Sequence, residues 1–182
     1  MVIALAGRRI DAEGSSAPVF PLANIEAVAR SLHTLFQQQS VKVLVSSAAC
    51  GADLLALEAA GQLGIRRRII LPFDRAIFRS TSVTDRPGEW GRVFDRALAA
   101  VDAKSDLVDL RLAPGQDATY LQANKEILRE CVALAAALRY PAAAALVWNG
   151  RAREGDDITN AFGEDARSLG LPVFEVSTCS NG

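Results

Sequence analysis

The chain is short of histidine, cysteine and aromatic residues, and each shortage removes a class of function. Its one histidine, His33, falls in the middle of a helical pattern among apolar neighbours, so a Ser-His or Cys-His nucleophile pair has no base. The three cysteines, Cys50, Cys131 and Cys179, have neither a disulfide framework nor zinc-type spacing. A reducing, cytoplasmic setting is expected, with no metal and no cofactor. Aromatic residues make up 6% and the net charge is −1, which argues against the basic, aromatic-lined groove of a single-strand nucleic-acid binder. No apolar run reaches the roughly 20 residues that span a bilayer. The most apolar region, Cys131 to Trp148, is interrupted by Arg139 and Pro141, so no membrane partner is expected. No basic n-region or long apolar stretch of a secretory signal opens the sequence, and no internal repeat or low-complexity tract is present.

What remains is a chain of 182 residues, 50% of them apolar. That length suits one domain burying on the order of 70% of its unfolded surface. Apolar runs and helical patterns alternate: a strand over Val2–Ala6, a helix over Pro21–Gln39, a strand over Val41–Ser46, a helix over Ala52–Leu63 and a strand over Arg68–Pro72. Further helices are expected over Trp90–Ala103, Ala118–Leu138 and Ile158–Leu169. Further strands are expected over Leu107–Leu110, Ala143–Trp148 and Val173–Val176. This alternation predicts an α/β fold, a Rossmann-like three-layer sandwich with a mostly parallel, doubly wound sheet. The trio Arg66-Arg67-Arg68 reads as a solvated strand entry rather than a nucleic-acid patch. The segment from Arg75 to Glu89, rich in Ser, Thr, Pro and Gly, reads as an irregular loop over a pocket.

Two strand-to-turn junctions carry the chemistry. Val43-Leu44-Val45 runs into the small-residue turn Ser46-Ser47-Ala48-Ala49-Cys50-Gly51 and then a helix containing Asp53 and Glu58. Small residues let a ligand approach the backbone, and N–H groups at a helix start attract anions; a tight structural connection is the alternative. Val2 to Ala6 likewise runs into Gly7-Arg8-Arg9. In an open parallel sheet both turns can meet beyond the carboxyl ends of the strands, where Arg8 or Arg9 could clamp a phosphate with a planar fork or stand as solvated charge. Pro72-Phe73 and Phe78 could stack on a base beside the Ser82 hydroxyl, or could, with Trp90, anchor the core. Tyr120 and Asn124 share one helix face, so Asn124 could read a base or ribose edge.

These motifs resemble the SLOG superfamily, which includes the DNA-processing protein A family and the Lonely-guy nucleotide phosphoribohydrolases. Gly7-Arg8-Arg9 is similar to the first Gly-x-Arg loop of that group. Ser46-Ser47-Ala48-Ala49-Cys50-Gly51-Ala52-Asp53 is similar to the second loop of its DNA-processing branch, with Ser47 in place of a glycine and Ala52 in place of an isoleucine. Leu71-Pro72-Phe73, Phe78, Ser82-Val83 and Trp90 look closest to predicted nucleotide-sensing SLOG domains of bacteria, some fused to effector modules. Lonely-guy enzymes carry a Pro-Gly-Gly-x-Gly-Thr-x-x-Glu run after a later strand. Here Trp148-Asn149-Gly150 leads instead into Gly155-Asp156-Asp157-Ile158-Thr159-Asn160-Ala161-Phe162, and Phe162 stands where the carboxylate belongs. Asp156 and Asp157 either replace that carboxylate or cap the helix.

The resemblance implies a Rossmann-like nucleotide-binding domain, a fused or associated effector module, and a homodimer formed through sheet-flanking helices. It implies that Gly7, Arg8 or Arg9, Ser46, Ser47, Gly51 and Thr159 hold phosphate, with Cys50 also at the ligand and Asp53 orienting the second loop or holding a ribose hydroxyl. Pro72, Phe73, Phe78, Ser82, Asn124, Trp148, Asn149 and Gly150 would surround the rest of the ligand. Three functions follow: a sensor binding a nucleotide or nucleotide-derived second messenger without turnover, a nucleotide N-glycosidase, or a single-stranded DNA module. The second needs a carboxylate at the ribose, and Glu58, Asp53, Asp156 and Asp157 are the candidates. The sensor is the preferred expectation.

Overall fold

Six parallel strands form one sheet in the order β4-β3-β2-β1-β5-β6. The strands are β1 (Val2–Gly7), β2 (Val43–Ser46), β3 (Arg66–Leu71), β4 (Leu107–Asp109), β5 (Ala142–Trp148) and β6 (Val173–Ser177). The helices are α1 (Ile25–Gln38), α2 (Ala52–Gln62), α3 (Arg75–Ser82), α4 (Trp90–Ala99), α5 (Asp117–Leu138) and α6 (Ile158–Ser168). This computed structural model describes residues 1–101, 105–153 and 157–179. The expected α/β three-layer architecture is present, and the pairings of all six strands are parallel.

Alternation along the strands sorts the core into two layers. Ile3, Leu5, Leu44, Ile69, Leu71, Ala143, Ala145 and Val147 meet the buried faces of α1, α2 and α4. Val2, Ala4, Ala6, Val43, Val45, Ile70, Ala144 and Leu146 meet Ile127, Leu128 and Cys131 of α5 and Phe162 and Ala166 of α6. Central strands covered on both faces read as unbroken apolar runs, which is why β5 is legible as Ala-Ala-Ala-Ala-Leu-Val-Trp. In α1 the inward stripe is Val28, Leu32 and Phe36, each contributing roughly 1.5–3 kcal/mol by leaving water. Between α1 and α4, α2 is buried nearly all round, so it shows no amphipathic stripe.

The chain departs from expectation in two places. First, residues 75–82 form α3 rather than a loop. Asp74 caps it, its carboxylate accepting from the Ala76 and Ile77 N–H groups at 2.9 and 3.1 Å, and Phe78 and Ser82 turn inward. Second, Arg66, Arg67 and Arg68 lie within β3 and none has a free head. Arg66 forks onto Asp106, Arg68 reaches Glu130 of α5 at 2.7 Å, and Arg67 donates to the Ala100 carbonyl. Elsewhere the boundaries differ by a few residues, as at the start of α1, where Leu22–Asn24 form a 3-10 turn after Pro21, and at the end of α4, which stops at Ala99, the expected end at Ala103 lying outside the described residues.

From β1 the chain walks outward through β2, β3 and β4, then crosses back to lay β5 on the other side of β1. The order reverses there, with Gly7 in register with Val147. Connections leaving the ends of β1 and β5 must diverge, which opens a crevice at the carboxyl edge of the sheet.

Candidate functional site

A cleft of about 650 Å³ occupies that crevice, a size within the range of small-molecule sites. Its floor depends on glycine. A Cβ on Gly7 would stand 2.5 Å from both the Ala52 Cβ and the Val147 carbonyl oxygen, so only glycine lets the start of α2 sit against the end of β1. Gly51 has φ +98°, and a Cβ there would meet the Arg8 oxygen and the Ile10 nitrogen at 2.8 Å each. Backbone strain and overpacking act together at that position. Gly51→Ala is therefore expected to cost at least about 2 kcal/mol, read as a lowered urea midpoint with an unchanged m-value.

Ten of the expected ligand residues line the cleft: Gly7, Arg8, Arg9, Ser47, Asp53, Pro72, Phe78, Ser82, Asn124 and Thr159. Others sit behind it. Ser46 is fully buried and its hydroxyl donates to the Ser47 carbonyl. Cys50 belongs to the core, where burial pushes its thiol up and Arg9 offsets only part of the effect. The Phe73 ring backs Phe78 at 5.7 Å and Tyr120 at 6.0 Å, so it supports the aromatic wall rather than forming it. Trp148 packs into the α5 and α6 layer and donates from Nε1 to Glu175. Asn149 and Gly150 follow it outside the lining. Glu58 faces Arg96 of α4, away from the cleft. Gly155 and Asp156 lie outside the described residues.

The two arginines of the first loop divide the expected clamp between them. Arg8 is 3% exposed and forks onto both oxygens of Asp157 at 2.7 Å, with a further bond to the Arg151 carbonyl. It holds the fold and is committed before any ligand arrives. Arg9 is part-exposed and pairs with Asp85 of the segment after α3. Asp157 caps α6, accepting from Thr159 and Asn160, and also takes the Arg153 N–H. Burial works against its charge, but Arg8 and these N–H groups outweigh it and hold the carboxyl at about 2.

Neither helix start is the open row of donors that the turns suggested. Before α2, the Cys50, Ala52 and Leu54 N–H groups donate to the carbonyls of Ser82, Arg8 and Ala49, and the Ala49 N–H donates to Asp53. At α6 the Asp157 cap takes the first donors. The side chains of the cleft supply further donors. Among the described residues, the buried side-chain polar atoms without a hydrogen-bond partner are Arg8 Nε, Arg9 Nε, Ser47 Oγ, Arg86 Nε and Asn149 Oδ1. The first four belong to residues of the lining. Buried polar groups in native proteins are rarely left unpaired, and here they gather at one place.

Arg86, Arg153, Tyr120, Asp11, Ser15 and Asp117 complete the polar lining. Sequence reasoning missed Arg86 and Arg153 as site residues because each is an isolated cation in a polar segment, without a motif around it. Tyr120 makes a 3.3 Å contact with the Ser82 hydroxyl, and with Phe78 it forms the aromatic side of the cleft. Asn124 donates to the Ile158 carbonyl at 3.1 Å, tying α5 to the start of α6. Asp53 is 8% exposed, and burial raises its carboxyl to about 7 against the pull of the Ala49 N–H and Arg9. Among the described residues no group of three His, Cys, Asp or Glu side chains is placed to hold a metal ion. Nor is any helix long and apolar enough to cross a membrane. No family model matches the sequence, and no curated protein matches it.

Proposed function

We propose that the chain is a nucleotide-binding domain of the SLOG type, taking a nucleotide or nucleotide-derived second messenger in the cleft at the ends of β1 and β5. The observation that carries this reading is the cluster of donors without a hydrogen-bond partner, Ser47 Oγ, Arg9 Nε and Arg86 Nε, the last 3.7 Å from Asp85 Oδ2, in a cleft at the topological switch point. Guanidinium and hydroxyl donors suit phosphate oxygens. Phe78 and Tyr120 offer π-faces on which a base can stack. The domain then acts by binding, within a bacterial signalling or defence system, and passes the bound state to an effector module or to a second copy of the chain.

Turnover is the second reading, and Asp53 is the observation that favours it, being a carboxyl in the cleft raised to about 7. Glycosidic cleavage by a carboxylate pair needs a second free carboxylate. Asp157 is committed to Arg8 and to its cap, and Asp11 accepts from the Val19 and Phe20 N–H groups, which leaves Asp117, exposed at the start of α5, as the one other carboxylate among the described residues of the lining. Binding is the stronger reading, because the buried groups that the cleft leaves without a hydrogen-bond partner are donors suited to an anion rather than a pair of carboxylates.

Thermal shift against AMP, cyclic AMP, ADP-ribose, NAD and dinucleotides tests it. A ligand at 100 times its Kd adds about 2.7 kcal/mol, a rise on the order of 5–10 °C for a domain of this size. Recovery of the ligand intact supports a binding domain, and release of free base supports the glycosidase. No shift with any of these compounds overturns both. Arg9→Ala is expected to weaken phosphorylated ligands by about 1.5–3 kcal/mol, the range for one hydrogen bond to a charged group, and to leave the matching nucleosides nearly unaffected. Equal loss for both removes Arg9 from the phosphate.

A further inference from the structure

Each carboxyl group in the cleft but two is committed. Asp157 is bound by Arg8, and Asp11 by two backbone N–H groups. Asp117 is exposed at the start of α5. Asp53 differs from all of these. It lies on the first turn of α2, nearly buried yet part of the cleft wall. Its Oδ2 accepts the Ala49 N–H at 3.2 Å, and its Oδ1 makes no hydrogen bond among the described residues.

The groups around it decide which protonation state a ligand meets. Its own loop supplies Ser47 and the neutral thiol of Cys50, the loop after β1 supplies Arg9, and the segment after α3 supplies Arg86 with Asp85 beside it. From α5 come Tyr120 and Asp117, and the far wall holds the Arg8–Asp157 pair and Arg153. Arg9 is already engaged by Asp85 and offsets only part of the effect of burial on Asp53. A phosphate brought to Arg9, Arg86 and Ser47 would face a like charge if Asp53 were ionised, and a hydrogen-bond donor if it were not.

We propose that Asp53 enters the complex as a neutral carboxyl group whose O–H donates to an anionic oxygen of the ligand, so that binding takes up a proton. This rests on reading the cleft as a phosphate-ligand site and adds the regulation of that site. The balance is simple. One proton moves from solvent to the Asp53 carboxylate as the ligand binds, and no covalent bond changes. Free Asp53 titrates near 7, and a bound anion raises it further. Affinity is then flat in acid and falls as pH rises above 7, by up to tenfold per pH unit.

The test is titration calorimetry of the full chain with cyclic AMP, ADP-ribose, NAD and AMP at about pH 5.5, 7 and 8.5, spanning the shifted carboxyl. Two buffers of different ionisation enthalpy count the protons taken up. The phosphates of the first three probes do not titrate in this range, and subtracting the Asp53→Asn result removes the contribution of the AMP phosphate. The expected result is proton uptake near pH 8.5 and weakening above pH 7 in the native chain. In Asp53→Asn, whose amide does not titrate, both the weakening above pH 7 and the proton uptake should vanish for cyclic AMP, ADP-ribose and NAD. Binding that is independent of pH and free of proton uptake overturns the role of Asp53 and leaves the cleft reading standing. Binding that strengthens above pH 7 also overturns it. No binding of any probe at any pH overturns the cleft reading itself, and this proposal with it.

Discussion

Replacing Arg8 by alanine is expected to lower the melting temperature by roughly 6–20 °C, the largest loss expected from a single cleft residue. The side chains of Arg8 and Asp157 are only 3% and 4% exposed, and the guanidinium takes both carboxylate oxygens. Removing one partner of such a pair strands the other charge in a medium that cannot solvate it, at a cost of about 3–5 kcal/mol. At 2–4 °C per kcal/mol for a domain of this size, that gives the range above. The damage would not stay local, because Asp157 caps α6 and also receives the Arg153 N–H. The double variant Arg8→Ala/Asp157→Asn should recover part of the loss, since it leaves no uncompensated charge. If the double variant is no more stable than the single one, the cost belongs to lost packing rather than to the stranded carboxylate.

The same pair sets a sign for acid stability. Asp157 is held at about 2 in the folded chain against 3.8 for the ordinary carboxyl. A depressed carboxyl stabilises the fold fully above its unfolded value and loses that contribution as pH falls through the folded value. About 2–3 kcal/mol should therefore disappear between pH 5 and pH 2. Arg8→Ala should flatten this part of the profile, and urea midpoints measured across that range will show whether it does.

How much of this was legible in the sequence depends on how local each determinant is. The central strands of the sheet were readable because burial on both faces leaves unbroken apolar runs, as in Ala142–Trp148, and this composition suffices without any knowledge of neighbours. Helix α3 was hidden for the opposite reason. Its residues, Arg-Ala-Ile-Phe-Arg-Ser-Thr-Ser, are mostly polar, and what makes it helical is the Asp74 cap together with a narrow buried face at Phe78 and Ser82. Arg8 and Arg9 are adjacent and chemically identical, so no pattern could tell the buried structural arginine from the one facing the cleft. The difference is set by Asp157, 149 positions away. Turn chemistry was half legible: the small residues do admit close approach at Gly7 and Gly51, but carbonyls and carboxylates of the protein itself occupy several of the N–H groups that a phosphate was expected to use, those of Ala49, Cys50, Ala52, Thr159 and Asn160 among them.

Asp53→Asn is expected to make the protein more stable at neutral and alkaline pH, the reverse of what removing a hydrogen-bonded buried group usually does. Burial raises this carboxyl from 3.8 to about 7, so the folded state holds a proton that the unfolded state has released. The sign follows directly. Between pH 4 and pH 7 the fold loses stability as pH rises, and above 7 the full penalty of a buried, unpaired carboxylate is present. A shift of this size corresponds to about 4 kcal/mol. The amide keeps the shape and can still accept the Ala49 N–H, but it carries no charge to desolvate. Urea midpoints at about pH 4 and about pH 8 should separate the two chains far more at the higher pH. A gain that grows as pH rises means that the native chain tolerates a destabilising carboxyl on the wall of its cleft, as binding and catalytic sites commonly do. A loss at both values would mean that Asp53 is ionised and well solvated in the fold, with its bond to Ala49 as its main role.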